Sequence, residues 1–240
     1  MTAGLGSILN VRLVKLTNQL IMIRHRKPAR PRQSQHVRSA NSRQRLLTAA
    51  AAEFAARGFA GASVDRIARA ARVNKAMIYY HFGSKAALYR VILRDMFEAV
   101  AAGVAQVVQA AADPADKIRG FVDAIAVEAE ARPHFPPIWF REIAEGGTHL
   151  DSATVASMSG IIRSLGGIVR EGIAAGRFRP VNPLLVHAGI VGPILLYFAS
   201  SSMRVRLQRG GVPGASMVSR DEVVAHVQRV ALMALEGRKA

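Results

Sequence analysis

The 240-residue chain contains no cysteine, so disulfide bonds, thiolate nucleophiles and cysteine-ligated metal sites are excluded. This absence agrees with a reducing compartment, and we expect the protein to be cytoplasmic. Half of the residues are hydrophobic and 20% are charged, which is ordinary for a globular protein with a sizeable core.

Acidic residues are scarce in the first part of the chain and absent from residues 1–52. Residues 1–95 carry 18 basic and 3 acidic residues, a net charge of +15, whereas residues 96–240 carry 15 and 13, a net charge of +2. Arginine outnumbers lysine 27 to 6, and codon bias would explain that choice. Codon bias would not explain the asymmetry, which is typical of a polyanion-binding domain joined to a separate domain.

Long apolar runs are missing as well. The stretch from residue 8 to residue 23 is interrupted by charged and polar residues, so it lacks the core of a signal peptide. The most apolar run, residues 184–200, contains His187 and Pro193 and is shorter than the roughly 20 residues that a membrane span requires. We therefore expect no membrane partner and predict a buried interface helix in this run.

Strand patterns and internal repeats are also lacking, and the apolar periodicity is helical, so we predict an all-α fold. The first helix of the regular region is expected to end at Gly58. Two short capped helices joined by about three residues form the signature of a helix-turn-helix. Four residues are candidate helix N-caps: Ser42, Ser63, Asn74 and Ser84.

These features predict three parts: a basic arm in residues 1–40, a three-helix domain with the helix-turn-helix in residues 41–101, and a helical-bundle domain in residues 102–240, for which roles in regulation and dimerisation follow from the resemblance described below. Two prolines, Pro28 and Pro31, favour disorder in the arm, which is either a minor-groove arm or a solvated tail. Met22 is an alternative start, so whether residues 1–21 belong to the native protein stays open.

Residues 63–85 read SVDRIARAARVNKAMIYYHFGSK and follow the segment GFAGA. This region resembles the DNA-binding domain of the TetR family of bacterial repressors over roughly residues 41–100. Arg72 departs from the family pattern, because the turn at this position usually carries a glycine. The rest of the chain is compatible with the family in layout only. The matching positions are Gly58, Phe59, Ser63, Ile67, Ala68, Val73, Lys75, Ile78, Tyr79, His81, Phe82 and Lys85.

The resemblance implies that the third helix enters the major groove and presents its N-terminal residues to base edges. Lys75 is suited to guanine O6 or N7, and Met77 is suited to a thymine methyl. Asn74 is suited either to capping the helix or to an adenine edge.

Phosphate contacts are expected around the same helix. The resemblance assigns them to Tyr79, His81 and Lys85, and the amides at the start of the second helix, with Ser63, are expected to bind a further phosphate. Tyr80 is either a DNA contact or an edge of the core. The expected DNA-binding residues are Ser63, Arg72, Asn74, Lys75, Ala76, Met77, Tyr79, Tyr80, His81 and Lys85.

The second half of the chain is expected to hold two copies in register, because a helix-turn-helix dimer reads half-sites one DNA turn apart. Residues 184–198 and 223–235 are the candidate interface helices, packed with their symmetry mates as a four-helix bundle. The alternative is that residues 184–198 form a core helix of the monomer.

An effector pocket lined by apolar groups and a few polar ones is also expected. In the resembling family, ligand binding re-sets the fourth helix and separates the two recognition helices. We expect a small, largely hydrophobic ligand, although each candidate taken alone is more often a core residue. The candidates are Phe121, Ile125, Trp139, Phe140, Arg141, Met158, Ile162 and His187.

No catalytic motif is present in the sequence: there is no P-loop, no HExxH and no Gly-x-Gly-x-x-Gly after a strand. We expect no enzymatic activity, no cofactor and no metal. The predicted function is that of a homodimeric repressor that binds a double-stranded DNA operator and is released by its ligand. A non-specific architectural DNA-binding protein is the alternative, and the choice between repressor and activator stays open.

Overall fold

The computed structural model describes residues 32–237, with side chains from residue 40 onward. Over this range the chain is entirely helical, which confirms the predicted fold class. The chain divides into two units, residues 1–41 and 42–240, and of the first only a helical backbone from residue 32 is described. Most of the expected arm, including residues 1–21, lies outside the described residues.

Ten helices follow one another in the described part of the chain. They are α1 (Arg32–Gly61), α2 (Val64–Ala71), α3 (Ala76–Phe82), α4 (Lys85–Ala110), α5 (Pro114–Ala131), α6 (Phe135–Ala144), α7 (Ser152–Ala174), α8 (Pro183–Ala199), α9 (Ser201–Arg209) and α10 (Arg220–Glu236).

The helix boundaries in the first half follow the capping residues with one exception. Ser84 caps α4 as predicted, since its hydroxyl accepts a 3.0 Å hydrogen bond from the amide of Ala87. Gly58 leaves the helical region with φ 69°, where the first helix was predicted to end. The prediction that Ser42 begins that helix is wrong, because α1 begins at Arg32 and no proline or glycine interrupts residues 32–57.

The second half is a bundle in which α4, α5, α7 and α8 pack on one another, and α10 covers α5 and α8. Helix α7 buries a face that is broader than a single apolar seam. Val155 is 46% exposed, whereas Ile161 and Ile168 are buried. The reason is that α7 is flanked by three helices, so it buries a broad face rather than one narrow seam.

The most apolar run forms α8, which ends at Ala199, and the chain then bends by 66° into α9. By length and composition α7 is apolar enough to cross a membrane, and so is the bent pair of α8 and α9. Leu165, Ile168 and Val169 of α7 are nevertheless buried against other helices of the protein, as in a core helix.

Helix α7 approaches the chain segment that follows it so closely that a side chain added at Gly172 would be overpacked. A Cβ atom at Gly172 would lie 2.0 Å from the ring of Phe178, which is buried. Gly172→Ala is therefore expected to lower the free energy of unfolding by about 1–3 kcal/mol, the usual cost of overpacking.

Urea denaturation followed by circular dichroism measures this loss. Gly167→Ala is the matched control on the same helix, because a Cβ there would meet nothing within 4 Å. This control is expected to be neutral or stabilising, since alanine is the better helix former. Equal stability of the two variants would contradict the packing at Gly172.

Candidate DNA-binding surface and effector cavity

The turn between α2 and α3 is built on Arg72, the departure noted in the sequence. Arg72 adopts a left-handed conformation, with φ 54° and ψ 47°. Its amide donates to the carbonyl of Arg69 at 3.1 Å, and the amide of Val73 donates to Ala68 at 3.1 Å. Arginine thus occupies the glycine-like position at a cost of roughly 1 kcal/mol, and the turn is preserved.

The recognition helix α3 is capped by Asn74. The side-chain oxygen of Asn74 accepts a 2.8 Å hydrogen bond from the amide of Ala76, the first residue of α3. Of the two roles open to Asn74 in the sequence, the structure shows capping, which engages its acceptor and leaves its side-chain amide hydrogens exposed.

The outer face of the motif carries exposed side chains at the N-terminal end of α3 and along it. Tyr79 is 52% exposed and Tyr80 is 75% exposed, so the structure leaves both rings on the surface. Lys75 is also exposed, and its ammonium lies 3.1 Å from the carboxylate of Asp65. That hydrogen bond and the charge attraction raise the pKa of Lys75. Met77 is half-buried against the core.

The start of α2 already has an anionic partner. Ser63 occupies the N-cap position without a side-chain capping bond, and its amide donates to Glu53 at 3.2 Å. The same carboxylate accepts from Arg66 at 2.5 Å. Burial raises the pKa of Glu53, but these hydrogen bonds outweigh burial and the net pKa is lowered. The phosphate expected at Ser63 is therefore left with the hydroxyl and the following amides.

Two of the expected phosphate contacts also hold the motif together. The ring of His81 is hydrogen-bonded to the hydroxyl of Ser42 at 3.0 Å. The ammonium of Lys85 donates to the carbonyls of Phe59 and Ala62, at 2.9 and 3.2 Å, and lies over the ring of Phe59. Lysine has three N–H donors, so one donor of Lys85 stays available for DNA.

A buried carboxylate joins this motif to the second half of the chain. Glu142 of α6 is 0% exposed and accepts from the hydroxyl of Tyr89 on α4 at 3.0 Å. It also accepts from the amide of His149 at 2.8 Å, and the ring of His149 packs 4.1 Å from that of Phe59. Burial first, and then the charge of Glu142, raise the pKa of Tyr89. No sequence spacing pointed to this network.

An apolar cavity of about 60 Å³ lies between α4 and the helices α5, α6, α7 and α8. Helix α4 contributes three side chains to its wall, and these were not among the predicted pocket residues: Met96, Phe97 and Val100. Five predicted residues line the cavity: Ile125, Trp139, Met158, Ile162 and His187.

The other three predicted pocket residues lie elsewhere. Phe121 is fully buried in the core, and Phe140 packs against the core outside the cavity. Arg141 points to the end of α1, where it donates to the carbonyl of Ala56 at 3.4 Å. Arg141 lies two positions after Trp139, so it is on a different side of α6 from the aromatic residues that line the cavity.

Comparison with known proteins gives a consistent assignment for both halves. Residues 46–92 match the family described as bacterial regulatory proteins, tetR family. Residues 114–212 match the family described as tetracyclin repressor-like, C-terminal domain.

Individual proteins give the same picture. The HTH-type transcriptional repressor NicS of Pseudomonas putida is 31% identical over 67% of this chain and 76% of its own length. The repressor SCO4008 of Streptomyces coelicolor is 37% identical over 45% of this chain and 52% of its own length, so that match spans about half of the relative. The crystal structure of the TetR family regulator PfmR from Thermus thermophilus superposes with a TM-score of 0.60 at 25% identity, over 80% of this chain and 99% of that one.

The hydrogen bond between Tyr89 and Glu142 predicts a stability loss. Tyr89→Phe removes one donor from a buried carboxylate and is expected to cost about 1–3 kcal/mol in the free energy of unfolding. Denaturation by urea measures the change. Tyr80→Phe is the control, because that ring is 75% exposed, and its effect should stay within about 0.5 kcal/mol. Two variants of equal stability would show that the buried bond contributes nothing.

Proposed function

Because the chain belongs to the TetR family of bacterial regulatory proteins, which are DNA-binding transcriptional regulators and not enzymes, we propose that it is a homodimeric repressor. In this proposal α3 reads a double-stranded DNA operator, and a small hydrophobic ligand in the cavity releases the protein from DNA. The observation that carries the proposal is that one helix, α4, forms part of the cavity wall and also anchors the helix-turn-helix.

DNA binding is assigned to the exposed face of α3 and the turn before it. Lys75, at the helix start, is placed to donate to guanine, and Tyr79 to contact the phosphate backbone. The exposed guanidinium of Arg72 adds a cation beside them. A non-specific architectural role is the second candidate, since the charge of +15 in residues 1–95 alone would attract any duplex.

Dimerisation is assigned to α8 and α10. These neighbouring helices expose large apolar side chains, with Leu185 72% and Met233 65% exposed. A second copy packed on this face would bury them in a four-helix bundle and hold two recognition helices about 34 Å apart. The five large apolar residues that these helices expose are Leu184, Leu185, Leu196, Val230 and Met233.

Ligand control is assigned to the cavity. Its volume of about 60 Å³ is less than half of the roughly 150 Å³ in which an engineered protein cavity holds benzene, so a ligand has to displace the lining. Met96 and Met158 are flexible enough to yield to a small ligand, and a larger ligand would press on α4 through Phe97 and Val100. Burial lowers the pKa of His187 below its usual 6.5, so at neutral pH a neutral imidazole faces the ligand. A ligand with an apolar body and a hydroxyl or carbonyl group fits this lining.

Repression and a cytoplasmic location complete the proposal. NicS and SCO4008, the relatives compared above, are both named as repressors, which supports repression over activation. The chromosome that such a regulator binds lies in the bacterial cytoplasm.

Binding to the upstream region of its own gene tests sequence-specific recognition. We expect the protein to prefer this DNA over a scrambled duplex of equal length by about 10³-fold or more at physiological salt, as specific regulators do. Lys75→Ala combined with Tyr79→Phe should remove most of that preference. Fluorescence anisotropy measures both affinities. Equal affinity of the native protein for the two duplexes, and for other regions that flank the gene, would favour the architectural role.

Occupation of the cavity is expected to change the emission of Trp139, the only tryptophan of the chain, which lies in the wall. Cyclohexanol and 1-octanol are suitable probes, because neither absorbs where tryptophan does. At saturation they should weaken operator binding about 5- to 150-fold, the usual range of coupling between two sites. Ala129→Leu fills the cavity and should abolish the fluorescence response. A response in Trp139 without any change of operator affinity would contradict ligand control.

A further inference from the structure

Asp65 is the only acidic residue between residues 54 and 94, in the most basic part of the chain. It lies in the first turn of α2 and is 63% exposed. The two other acidic residues of the first 95 lie outside the helix-turn-helix: Glu53 is bonded to Arg66, and Asp95 lies on α4. A carboxylate on a surface that contacts phosphates weakens binding to every DNA sequence, so Asp65 lowers the general affinity of this surface for DNA.

The partner of Asp65 is the one lysine at the start of the recognition helix. The Lys75 ammonium and the Asp65 carboxylate are 3.1 Å apart, and the two side chains are 58% and 63% exposed. The pair therefore bridges the starts of α2 and α3, beside the exposed Tyr79. An exposed ion pair of this kind is weak, so a better partner for Lys75 can open it.

Two kinds of DNA partner compete with Asp65 for this lysine. A phosphate offers a single negative charge, and the same phosphate is repelled by Asp65. A guanine offers two neutral acceptors, O6 and N7, in the floor of the major groove, and Asp65 does not repel them as it repels a charge. The ion pair thus weakens the contact of Lys75 with a phosphate, which every DNA sequence offers, more than its contact with a guanine, which only the operator offers at that position.

We propose that Asp65 is a specificity-determining residue. Its carboxylate pairs with Lys75 and so weakens the contact of Lys75 with phosphates of non-operator DNA, whereas on the operator Lys75 leaves Asp65 and binds a guanine. The inference rests on the proposed function. Asp65 acts through Lys75, so it is a positioning residue and makes no base contact of its own.

The test compares operator and scrambled duplexes over a series of salt concentrations. Asp65→Asn should bind the scrambled duplex about three- to fivefold more tightly, and the slope of log K against log salt should steepen by about 0.9, the value for one added phosphate contact. Affinity for the operator should rise by less than twofold, so the specificity ratio falls. Asp65→Glu retains the charge and should retain the native ratio.

Two controls separate this mechanism from a general charge effect. Asp116→Asn on α5 makes the same change of charge at an exposed acid that pairs with Arg119, and it should leave the ratio unchanged. In a Lys75→Ala background, Asp65→Asn should no longer alter the salt slope on scrambled DNA. Circular dichroism and thermal melting verify that each variant is folded.

Equal tightening of both duplexes by Asp65→Asn, or a full effect that persists without Lys75, would overturn the inference and leave a simple field effect. The native specificity ratio by itself tests the proposed function, whereas the change of that ratio on substitution of Asp65 tests the inference. A failure of the inference can therefore be distinguished from a failure of the proposed function.

Discussion

Helix α4 is the part of the molecule that joins the DNA-binding motif to the apolar cavity. Its first residue, Lys85, holds the chain after the kink of α1 through two carbonyls, and Tyr89, one turn later, is bonded to the buried Glu142 of α6. Further along, α4 supplies Met96, Phe97 and Val100 to the cavity wall. The recognition helix packs on α4, so in the proposed mechanism a rigid-body movement of α4 would connect the cavity to the recognition helix.

The polar contacts at the start of α4 give this connection its stiffness. A carboxylate with no exposure to solvent cannot exchange its partners for water, so Glu142 keeps Tyr89 and His149 at fixed distances. His149 packs in turn on Phe59, the residue whose carbonyl accepts from Lys85. A ligand that enlarges the small cavity has to move α4 against these bonds or together with them.

The sequence predicted the features that depend on neighbours along the chain. The helix-turn-helix, the caps at Asn74 and Ser84 and the break at Gly58 are local, because each depends on a few adjacent residues. Four of the five cavity residues were predicted from the placement of apolar side chains on helices, and His187 was predicted as a polar group of the pocket. The α1 start was missed because the acceptable cap at Ser42 lies in a stretch that continues as helix.

Features that join distant segments were not predictable in this way. Glu53 meets Ser63 and Arg66 across a turn, and Glu142 meets Tyr89 across 53 residues. Arg141 was expected in the cavity, but it lies two positions after Trp139, and each position along a helix turns a side chain by about 100°, so Arg141 reaches the end of α1 instead. The contribution of α4 to the cavity was missed for the same reason, since helical periodicity shows which face is buried and not what covers it.

The most direct measurement is the distance between the two DNA-binding units of the proposed dimer. The chain has no native cysteine, so Arg69→Cys on the exposed side of α2 accepts a single spin label per protomer. Pulsed electron paramagnetic resonance then gives the distance between the labels on operator DNA and with saturating 1-octanol. Transmission through α4 predicts one narrow distance on DNA, consistent with recognition helices about 34 Å apart, and a displaced distribution with the probe. An unchanged distance distribution, at a concentration of 1-octanol that alters Trp139 emission, would contradict transmission through α4.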